Sequence, residues 1–242
     1  MYKGKKILAV IPARSGSKGL PNKNIKKLLG THLIGWPIKA ALKSKYLDNV
    51  IVSTDCRIIA QIAKNYGAEI PFLRPKELAT DTASSISVII DLLKQIGLDK
   101  YDYITLLEPT SPTTDSNDID NSIESIIDNE LIADSIVGIS KLESTHPSFC
   151  VSLEDDGTIK QFGGNFDGYK RRQDLKSLYF RDGSIYISKI DSLIKNKSFY
   201  HSRTLGKLFP KWKSYEIDDI VDFLCIENIL KNIKIIDLNN EK

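Results

Sequence analysis

Short apolar runs alternate with longer amphipathic segments, and this alternation limits the fold more than any other feature of the chain. The run from Lys6 to Ile11 is continuous and rich in β-branched residues, as expected of a strand buried on both faces of a parallel sheet. The pattern predicts further strands near 50–53, 70–73, 103–107, 135–139 and 185–187. It predicts helices near 37–44, 57–66, 85–96, 117–128 and 219–229. Strands alternating with helices of about ten residues indicate an α/β fold with a Rossmann-like, mostly parallel sheet flanked by helices.

The alternation stops after residue 140, which sets the expected domain organisation. Residues 141–182 mix Gly, Asp and Lys with isolated aromatic side chains. A chain of 242 residues is within the range of one domain. We therefore predict a single domain over 1–242 with 141–182 as an inserted sub-domain, and fraying over 239–242.

The composition excludes several classes of protein. The chain has 41% hydrophobic and 27% charged residues, which is typical of a globular protein and not of a disordered or fibrous one. Its three cysteines are widely spaced and form no CxxC pair, which argues against a disulfide framework or a zinc site. No apolar run approaches the roughly 20 residues that span a bilayer, and the first run is too short for a signal peptide. We expect a soluble, cytoplasmic protein that does not bind membranes.

The net charge of +3 conceals an uneven distribution. The first 47 residues contain eleven Lys and Arg and no acid, so they carry +11, and the remaining 195 residues carry −8. A basic first fifth could attract a polyanion such as a nucleotide, or it could bind nucleic acid. Its cations are not interleaved with aromatic residues and no nucleic-acid-binding motif is present, so we expect no nucleic-acid partner.

The loop after the first strand, Pro12 to Asn24, is the strongest candidate for a ligand site. In an open α/β sheet, ligands bind beyond the carboxyl ends of the strands. Gly16 and Gly19 allow close backbone approach, and Arg14 and Lys18 supply a forked donor and a point charge that suit a polyphosphate. The spacing matches neither a Walker A loop nor GxGxxG. A solvated basic surface loop is the alternative.

Six blocks of sequence carry a more specific resemblance. They are Ile11-Pro-Ala-Arg-Ser-Gly-Ser-Lys-Gly-Leu-Pro-Asn-Lys-Asn24, Ile51-Val-Ser-Thr-Asp55, Arg74-Pro-Lys-Glu-Leu-Ala-Thr-Asp-Thr-Ala-Ser-Ser85, Leu107-Glu-Pro-Thr-Ser-Pro112, Gly183-Ser-Ile-Tyr-Ile187 and Glu216-Ile-Asp218. In order and spacing the chain resembles the CMP-N-acylneuraminate synthetases, cytidylyltransferases that activate nine-carbon 2-keto-3-deoxy sugar acids. The resemblance covers nearly the whole chain and implies a nucleotidyltransferase-type sheet.

The resemblance implies how CTP is bound. Catalytic roles fall on Arg14, Lys18 and Asp218, and CTP binding on Arg14, Ser17, Lys18, Asn24, Arg74, Ala83 and Ser85. Arg74 can donate to the base carbonyl, and Ser85 or the backbone around Ala83 can complete the pyrimidine edge. For Asp81, Thr82 and Ser84, which immediately precede an apolar helix, capping of that helix is the alternative, and it is favoured for Asp81.

Two groups of acids differ in their expected roles. Glu216 and Asp218 are two residues apart, so an extended segment directs both carboxylates to one side, where they suit Mg²⁺ together with substrate phosphates. The alternative is that Asp218 or Asp219 caps the last helix. Nine acids without a Lys or Arg lie between 101 and 140, and most are expected on a solvated helix face. Glu108 differs because it ends an apolar strand at the ligand edge.

The resemblance also implies an acceptor site and a dimer. Sugar-binding roles fall on Glu108, Arg172, Gln173, Tyr186, Phe199 and Tyr200, with core packing as the alternative for Tyr186. The implied acceptor is a nonulosonic acid of the sialic, legionaminic or pseudaminic type. Because Glu108 replaces the neutral Gln of sialic-acid-specific members, the acceptor could be legionaminic or pseudaminic acid, or an 8-amino sugar whose cation pairs with Glu108. Residues 141–182 resemble the dimerisation element of the family, which implies a homodimer.

The predicted reaction is attack of the anomeric hydroxyl of a nonulosonic acid on the α-phosphate of CTP, giving the CMP-sugar and pyrophosphate for cell-surface glycan synthesis. The partners are then CTP and a nine-carbon 2-keto-3-deoxy sugar acid, and the cofactor is Mg²⁺. A CMP-Kdo synthetase, which uses an eight-carbon acid, would share the fold and the CTP loop and remains an alternative.

Overall fold

A computed structural model describes residues 1–143, 145–162 and 171–240, without the side chains of Arg172 and of residues 237–240. Strands and helices alternate through most of the described chain. In order they are β1 (Ile7–Pro12), β2 (Lys27–Leu28), β3 (Thr31–His32), α1 (Gly35–Lys43), β4 (Asn49–Ser53), α2 (Arg57–Asn65), α3 (Ser85–Ile96), β5 (Tyr103–Leu106), α4 (Ser116–Asp128), β6 (Ser135–Lys141), β7 (Val151–Leu153), β8 (Ile159–Gln161), β9 (Tyr179–Lys189), α5 (Ile190–Asn196), β10 (Thr204–Leu208), α6 (Ile220–Lys231) and α7 (Ile233–Asn240).

Six strands form the central sheet in the order β10-β6-β9-β5-β1-β4. The pairs β1–β4, β1–β5 and β6–β10 are parallel, whereas β9 is antiparallel to both of its neighbours. The predicted mostly parallel sheet flanked by helices is therefore confirmed. The carboxyl ends of β1 and β5 are adjacent at one edge of the sheet, which brings the loops that follow them together.

Side chains of β1 alternate between two buried clusters on the two faces of the sheet. Ile7, Ala9 and Ile11 pack with side chains of α1, α2 and α4. Leu8 and Val10 pack on the opposite face with α3 and α5. A strand covered on both faces needs apolar residues at every position, which explains the continuous run in the sequence.

The structure corrects two predictions of secondary structure. Residues 70–73 form no strand, and only one isolated bridge, Ile51 to Glu69, occurs beside them. Pro71 lacks the N–H that a ladder requires, so the apolar residues there do not continue as a strand. The strand predicted at 185–187 extends over the whole of β9, and β10 and α5 were not predicted.

The acids between 101 and 140 are less solvated than predicted. Asp120 is 5% exposed and accepts hydrogen bonds from Ser44 Oγ at 2.5 Å and from Lys45 N at 3.1 Å. Asp134 binds Arg203 at 2.6 Å and Lys189 at 3.1 Å. The expectation of a solvated helix face is wrong for these two acids, because they satisfy backbone and basic groups of neighbouring segments.

The predicted insertion lies between β6 and β9. Its described part contains the β7–β8 hairpin, which pairs Val151 with Gln161 and Leu153 with Ile159. It begins at the carboxyl end of β6 and returns through the start of β9, which pairs with that end at Lys141 and Tyr179. The described residues thus connect the insertion to the same sheet edge as the loops after β1 and β5. No helix within the described ranges has the length and apolar character needed to cross a membrane.

Candidate active site

A cleft of about 400 Å³ opens at the carboxyl ends of β1 and β5. Among the described residues, fifteen line it: Pro12, Arg14, Ser17, Lys18, Gly19, Lys23, Asn24, Arg74, Ala83, Ser85, Val88, Glu108, Pro109, Thr110 and Asp218. All seven residues predicted to bind CTP are among them, although they come from two segments separated by about fifty residues of sequence. The cleft has the position expected for ligands in an open α/β sheet.

The loop after β1 is held in place by contacts with two other segments and by one hydrogen bond within the loop. Ser15 donates from its backbone N–H and its hydroxyl to Asp55, at 3.1 and 2.8 Å. Asn24, 7% exposed, donates to the carbonyl of Arg14 at 2.9 Å. A Cβ at Gly19 would lie 2.4 Å from the carbonyl oxygen of Asp218, so only glycine allows this close approach. The loop is therefore fixed relative to the segment that contains Asp218.

Arg14 and Lys18 both contact the same carboxylate. Arg14 Nη1 lies 2.5 Å from Asp81 Oδ1, and Lys18 Nζ lies 2.5 Å from Asp81 Oδ2. Hydrogen bonds from Lys18 and then Arg14 hold the pKa of Asp81 below its ordinary value. The two cations that the sequence predicts for an anionic ligand are therefore paired with the carboxylate of Asp81 in this structure.

Capping of α3 is carried by Ser84, whose hydroxyl accepts from Ser87 N at 3.1 Å. The favoured alternative for Asp81, that it caps this helix, is therefore wrong. Serine at the N-cap fully accounts for the start of α3, which leaves Asp81 available for the two cations.

Arg74 is a buried residue of the cleft lining. It is 7% exposed, and its Nε donates to Ser53 Oγ at 3.2 Å while Nη2 donates to the carbonyl of Ser53. Burial lowers the pKa of its guanidinium. Arg74 thus ties the segment that carries Ala83 and Ser85 to the end of β4, and its predicted contact with the base carbonyl stays a prediction.

The acidic wall is formed by the segment before α6. Asp219 caps α6 by accepting from Val221 N and Asp222 N, and Asp222 accepts from Asp218 N at 2.9 Å. The capping alternative thus applies to Asp219 and not to Asp218, whose side chain is 81% exposed and lines the cleft.

Lys23 connects the loop after β1 to the acidic wall. Its Nζ donates to the carbonyl of Ile217 at 2.7 Å and to Asp218 Oδ1 at 3.2 Å, and only 15% of its side chain is exposed. Among the early cations, the sequence singled out Arg14 and Lys18 for the triphosphate. The partners of Lys23 lie almost 200 residues away in the sequence, so no local signal distinguished it.

Glu216 is crowded by other carboxylates. Its burial, and then the nearby charges of Glu108, Asp218 and Asp182, raise the pKa of Glu216 to about 7. Burial also raises the pKa of Glu108. The Glu216 carboxylate lies against Gly183, where a Cβ would be 1.8 Å from its Oε1. Negative charge is therefore concentrated beside the cleft.

We tested whether these carboxylates suit a divalent cation. Among the described residues no group of three or more His, Cys, Asp or Glu side chains is placed to hold a metal ion. Mg²⁺ needs fewer protein ligands than that, because it binds through one or two carboxylates with substrate phosphates and waters. Asp218 is exposed in the cleft, and burial, followed by the nearby charges of Glu108 and Asp218, raises the pKa of Glu216. The donor set fits Mg²⁺ bound together with a nucleotide.

The structure brings together only part of the predicted sugar-binding set. Tyr186 is close enough to Glu108 that the charge of this carboxylate, after burial, raises the pKa of Tyr186. Glu108 lines the cleft, but Gln173 lines a different pocket of about 300 Å³. Phe199 is 2% exposed and packs in the core with its ring centroid 5.7 Å from that of Tyr186. Tyr200 is half exposed beneath the guanidinium of Arg181. The side chain of Arg172 lies outside the described residues.

Gly183→Ala is expected to be more destabilising than a matched glycine substitution. Gly183 has φ +68°, and its added Cβ would displace Glu216. Gly30→Ala is the control, since Gly30 has φ +80° and no heavy atom within 4 Å of its Cβ position. The control should lose about 1 kcal/mol of unfolding free energy, and Gly183→Ala about 1–3 kcal/mol more. Equal losses in urea unfolding would contradict the Glu216 contact.

Glu216→Gln is expected to stabilise the metal-free protein at high pH only. A raised carboxyl pKa means that the folded state favours the proton, so the wild type loses stability as pH rises from about 4.5 to about 7. Glutamine stays neutral throughout this range. Urea unfolding with EDTA should show equal stabilities at pH 4 and a more stable variant at pH 8. A difference independent of pH would contradict the crowding of carboxylates.

Comparison with known proteins identifies the family of this chain. The family model described as cytidylyltransferase matches residues 8–241. The chain belongs to the cytidylyltransferase family. The match covers the central sheet, the loop after β1 and the segment before α6.

Several relatives of this cytidylyltransferase have assigned names. The chain is 38% identical over 229 residues to CMP-N,N'-diacetyllegionaminic acid synthase of Legionella pneumophila, covering 93% of this chain and 97% of the relative. It is 38% identical to the N-acylneuraminate cytidylyltransferase of Escherichia coli O18:K1:H7, covering 90% of this chain but only 50% of the relative. It is 30% identical to the pseudaminic acid cytidylyltransferase of Campylobacter jejuni, covering 90% and 93% of the two chains.

Solved structures of low sequence identity share the fold of this cytidylyltransferase. CMP:2-keto-3-deoxy-manno-octonic acid synthetase complexed with CTP superposes with a TM-score of 0.69 at 17% identity, covering 94% of this chain and 99% of that one. The 4-diphosphocytidyl-2C-methyl-D-erythritol synthase of Anaerococcus prevotii gives 0.63 at 12% identity, covering 95% and 100%. At these identities the likeness establishes the fold alone.

Proposed function

We propose that this enzyme transfers CMP from CTP to a nonulosonic acid and releases pyrophosphate. One observation carries the proposal: a single cleft contains all seven residues predicted for CTP, with Glu108 and Asp218 beside them. Cations on one side and carboxylates on the other match a substrate that carries a triphosphate and binds with a divalent cation.

In the proposed reaction the anomeric hydroxyl oxygen attacks the α-phosphorus. The bond from this phosphorus to the oxygen bridging the α- and β-phosphates breaks, and pyrophosphate leaves. Arg14 and Lys18 stabilise the negative charge that develops on the phosphate oxygens. The hydroxyl proton passes to solvent at the open mouth of the cleft. Catalysis then consists mainly of positioning and electrostatic stabilisation.

Asp218, with Glu216 behind it, would hold Mg²⁺. When bound, Mg²⁺ supplies positive charge to the phosphate oxygens and acidifies a coordinated hydroxyl. Lys23 orients Asp218 through its 3.2 Å contact, and Asp222 fixes the backbone of Asp218 from the other side.

We propose N,N'-diacetyllegionaminic acid as the first acceptor to test. The Legionella relative named for this product matches almost end to end, whereas the chain spans about half of the N-acylneuraminate cytidylyltransferases of Escherichia coli and Streptococcus agalactiae that it matches. When ionised, the half-buried carboxylate of Glu108 can only accept hydrogen bonds, so it supports an acceptor that presents an N–H or O–H donor to it.

A panel of acceptors tests the proposal. CTP and Mg²⁺ are incubated with diacetyllegionaminic, N-acetylneuraminic and pseudaminic acids, an 8-amino nine-carbon acid and Kdo, and products are detected by mass spectrometry. We expect the highest kcat/KM with a nine-carbon acid. A preference for Kdo would replace the proposal with a CMP-Kdo synthetase. A preference for the 8-amino nine-carbon acid that is lost in Glu108→Gln would show that Glu108 pairs with the ammonium group of this acceptor.

We also propose a homodimer formed through the insertion. The cross-strand pair Leu153 and Ile159 is 76% and 52% exposed, and Val151, two residues along the same strand and on the same face, is 44% exposed. Adjacent apolar side chains left open in this way are typical of interfaces. Leu153→Asp should convert the dimer to a monomer in sedimentation velocity, whereas Leu131→Asp, at a side chain 89% exposed elsewhere, should not. A wild-type monomer would contradict the proposal.

A cytoplasmic location stays a prediction.

A further inference from the structure

Asp81 is the only acid that contacts the two cations at the phosphate side of the cleft in the described structure. Both of its oxygens are used, one by Arg14 and one by Lys18, each at 2.5 Å. A carboxylate that bridges a guanidinium and an ammonium in this way occupies the electrostatic position of a phosphate group. The role of Asp81 thus depends on what happens when a real phosphate arrives.

The segment that carries Asp81 also carries the residues predicted for the base. Ala83 and Ser85 line the cleft, and Arg74 anchors the segment through its buried bonds to Ser53. Between the short 3-10 helix Lys76–Leu78 and the start of α3, the segment has no regular structure. Asp81 can therefore leave the cations by local movement while both ends of the segment stay anchored.

We infer that Asp81 is an internal competitor for the phosphate-binding cations, which sets the affinity of the enzyme for CTP phosphates and promotes release of pyrophosphate. This inference rests on the proposed function, since it assigns Arg14 and Lys18 to the triphosphate. A phosphate and Asp81 cannot share these cations without bringing like charges together. Each ligand that uses the cations must therefore displace Asp81, and the return of Asp81 favours departure of that ligand.

The ion pairs of Asp81 are weak enough for a polyphosphate to displace them. The Asp81 side chain is 41% exposed and that of Lys18 is 81% exposed. Exposed ion pairs are individually weak and are screened by salt. Asp81 can therefore be displaced by a polyphosphate, which carries several charges, and still lower its affinity measurably. Cytidine, which has no phosphate, does not need the cations and does not compete with Asp81.

Calorimetric titrations without an acceptor sugar test the inference. Inorganic pyrophosphate and cytidine are titrated separately into the wild type and into Asp81→Asn. We expect pyrophosphate to bind the variant roughly fivefold more tightly, the scale of two exposed ion pairs. This gain should shrink in 0.5 M salt, and the affinity for cytidine should not change.

Two matched variants separate the charge of Asp81 from its structural effects. Asp81→Glu keeps the charge and should restore wild-type affinity for pyrophosphate. Glu77→Gln removes an exposed acid from the same segment, away from the cleft lining, and should change neither affinity. Unchanged or weaker pyrophosphate binding by Asp81→Asn would overturn the inference, as would an equal change for cytidine, which would make Asp81 a structural support of the base side.

The two proposals can fail independently. The titrations use neither an acceptor sugar nor turnover, so they report only on competition for the cations. If Asp81→Asn binds pyrophosphate like the wild type while CMP-sugar still forms in the acceptor panel, only the role of Asp81 is wrong. If pyrophosphate binding tightens but no sugar acid is activated, only the proposed acceptor class is wrong.

Discussion

Asp218→Ala is expected to lower kcat with CTP and Mg²⁺ by roughly 10²–10³-fold, the scale seen when one group that stabilises transition-state charge is removed. The fold should be retained, because the carboxylate is 81% exposed and the cap of α6 is supplied by Asp219. The loss should be accompanied by weaker Mg²⁺ binding in the presence of a nonhydrolysable CTP analogue, measured by calorimetry.

A matched control distinguishes this effect from a general loss of negative charge. Asp155 is an exposed acid in the turn of the β7–β8 hairpin, away from the cleft lining. Asp155→Ala should have wild-type kcat and Mg²⁺ affinity. Turnover of Asp218→Ala within twofold of the wild type would remove Asp218 from the metal site.

Arg14→Ala is expected to lower kcat/KM for CTP by at least about 10²-fold. Arg14 is the more enclosed of the two cations, with 32% of its side chain exposed against 81% for Lys18. Its carbonyl is held by Asn24, so the truncated side chain should leave the loop in place. Lys18→Ala should have a smaller effect, because an exposed ammonium is more strongly screened.

The control for Arg14 is Arg57→Ala, an exposed arginine at the start of α2 that does not line the cleft. It should keep wild-type kcat/KM. Arg14→Lys should recover only part of the activity, since an ammonium cannot make the forked contact of a guanidinium. An Arg14→Ala enzyme with unchanged kcat/KM for CTP would show that the triphosphate binds elsewhere.

Much of the fold could be predicted because its signals are local. The continuous apolar run of β1 reports burial on both faces, and its position before a glycine-containing loop places that loop at the ligand edge. The same reasoning failed at 70–73, where apolar composition suggested a strand and Pro71 prevented one. It also failed for β10, whose residues Thr204 to Leu208 include two polar side chains and a glycine and form an edge strand.

The contacts between distant charges could not be predicted. Among the early lysines, Lys3 pairs with Asp128 at 2.8 Å and Lys23 with Asp218 at 3.2 Å, and nothing in the local sequence separates a surface pair from a cleft pair. Asp81 posed the same problem, because a residue before a helix has capping as its ordinary explanation. Each of these partners is chosen by the packing of the sheet, which brings together segments far apart in the chain.

The reversed direction of β9 has a consequence for how such enzymes could be diversified. Because β9 runs against its neighbours, the chain leaves the sheet after Lys141 and re-enters at Tyr179 on the edge that carries the cleft. The two points of attachment, Lys141 and Tyr179, are paired across neighbouring strands, so the intervening segment begins and ends at the same place in the sheet. Exchanging this segment between relatives would leave the loop after β1 and both faces of the core unchanged.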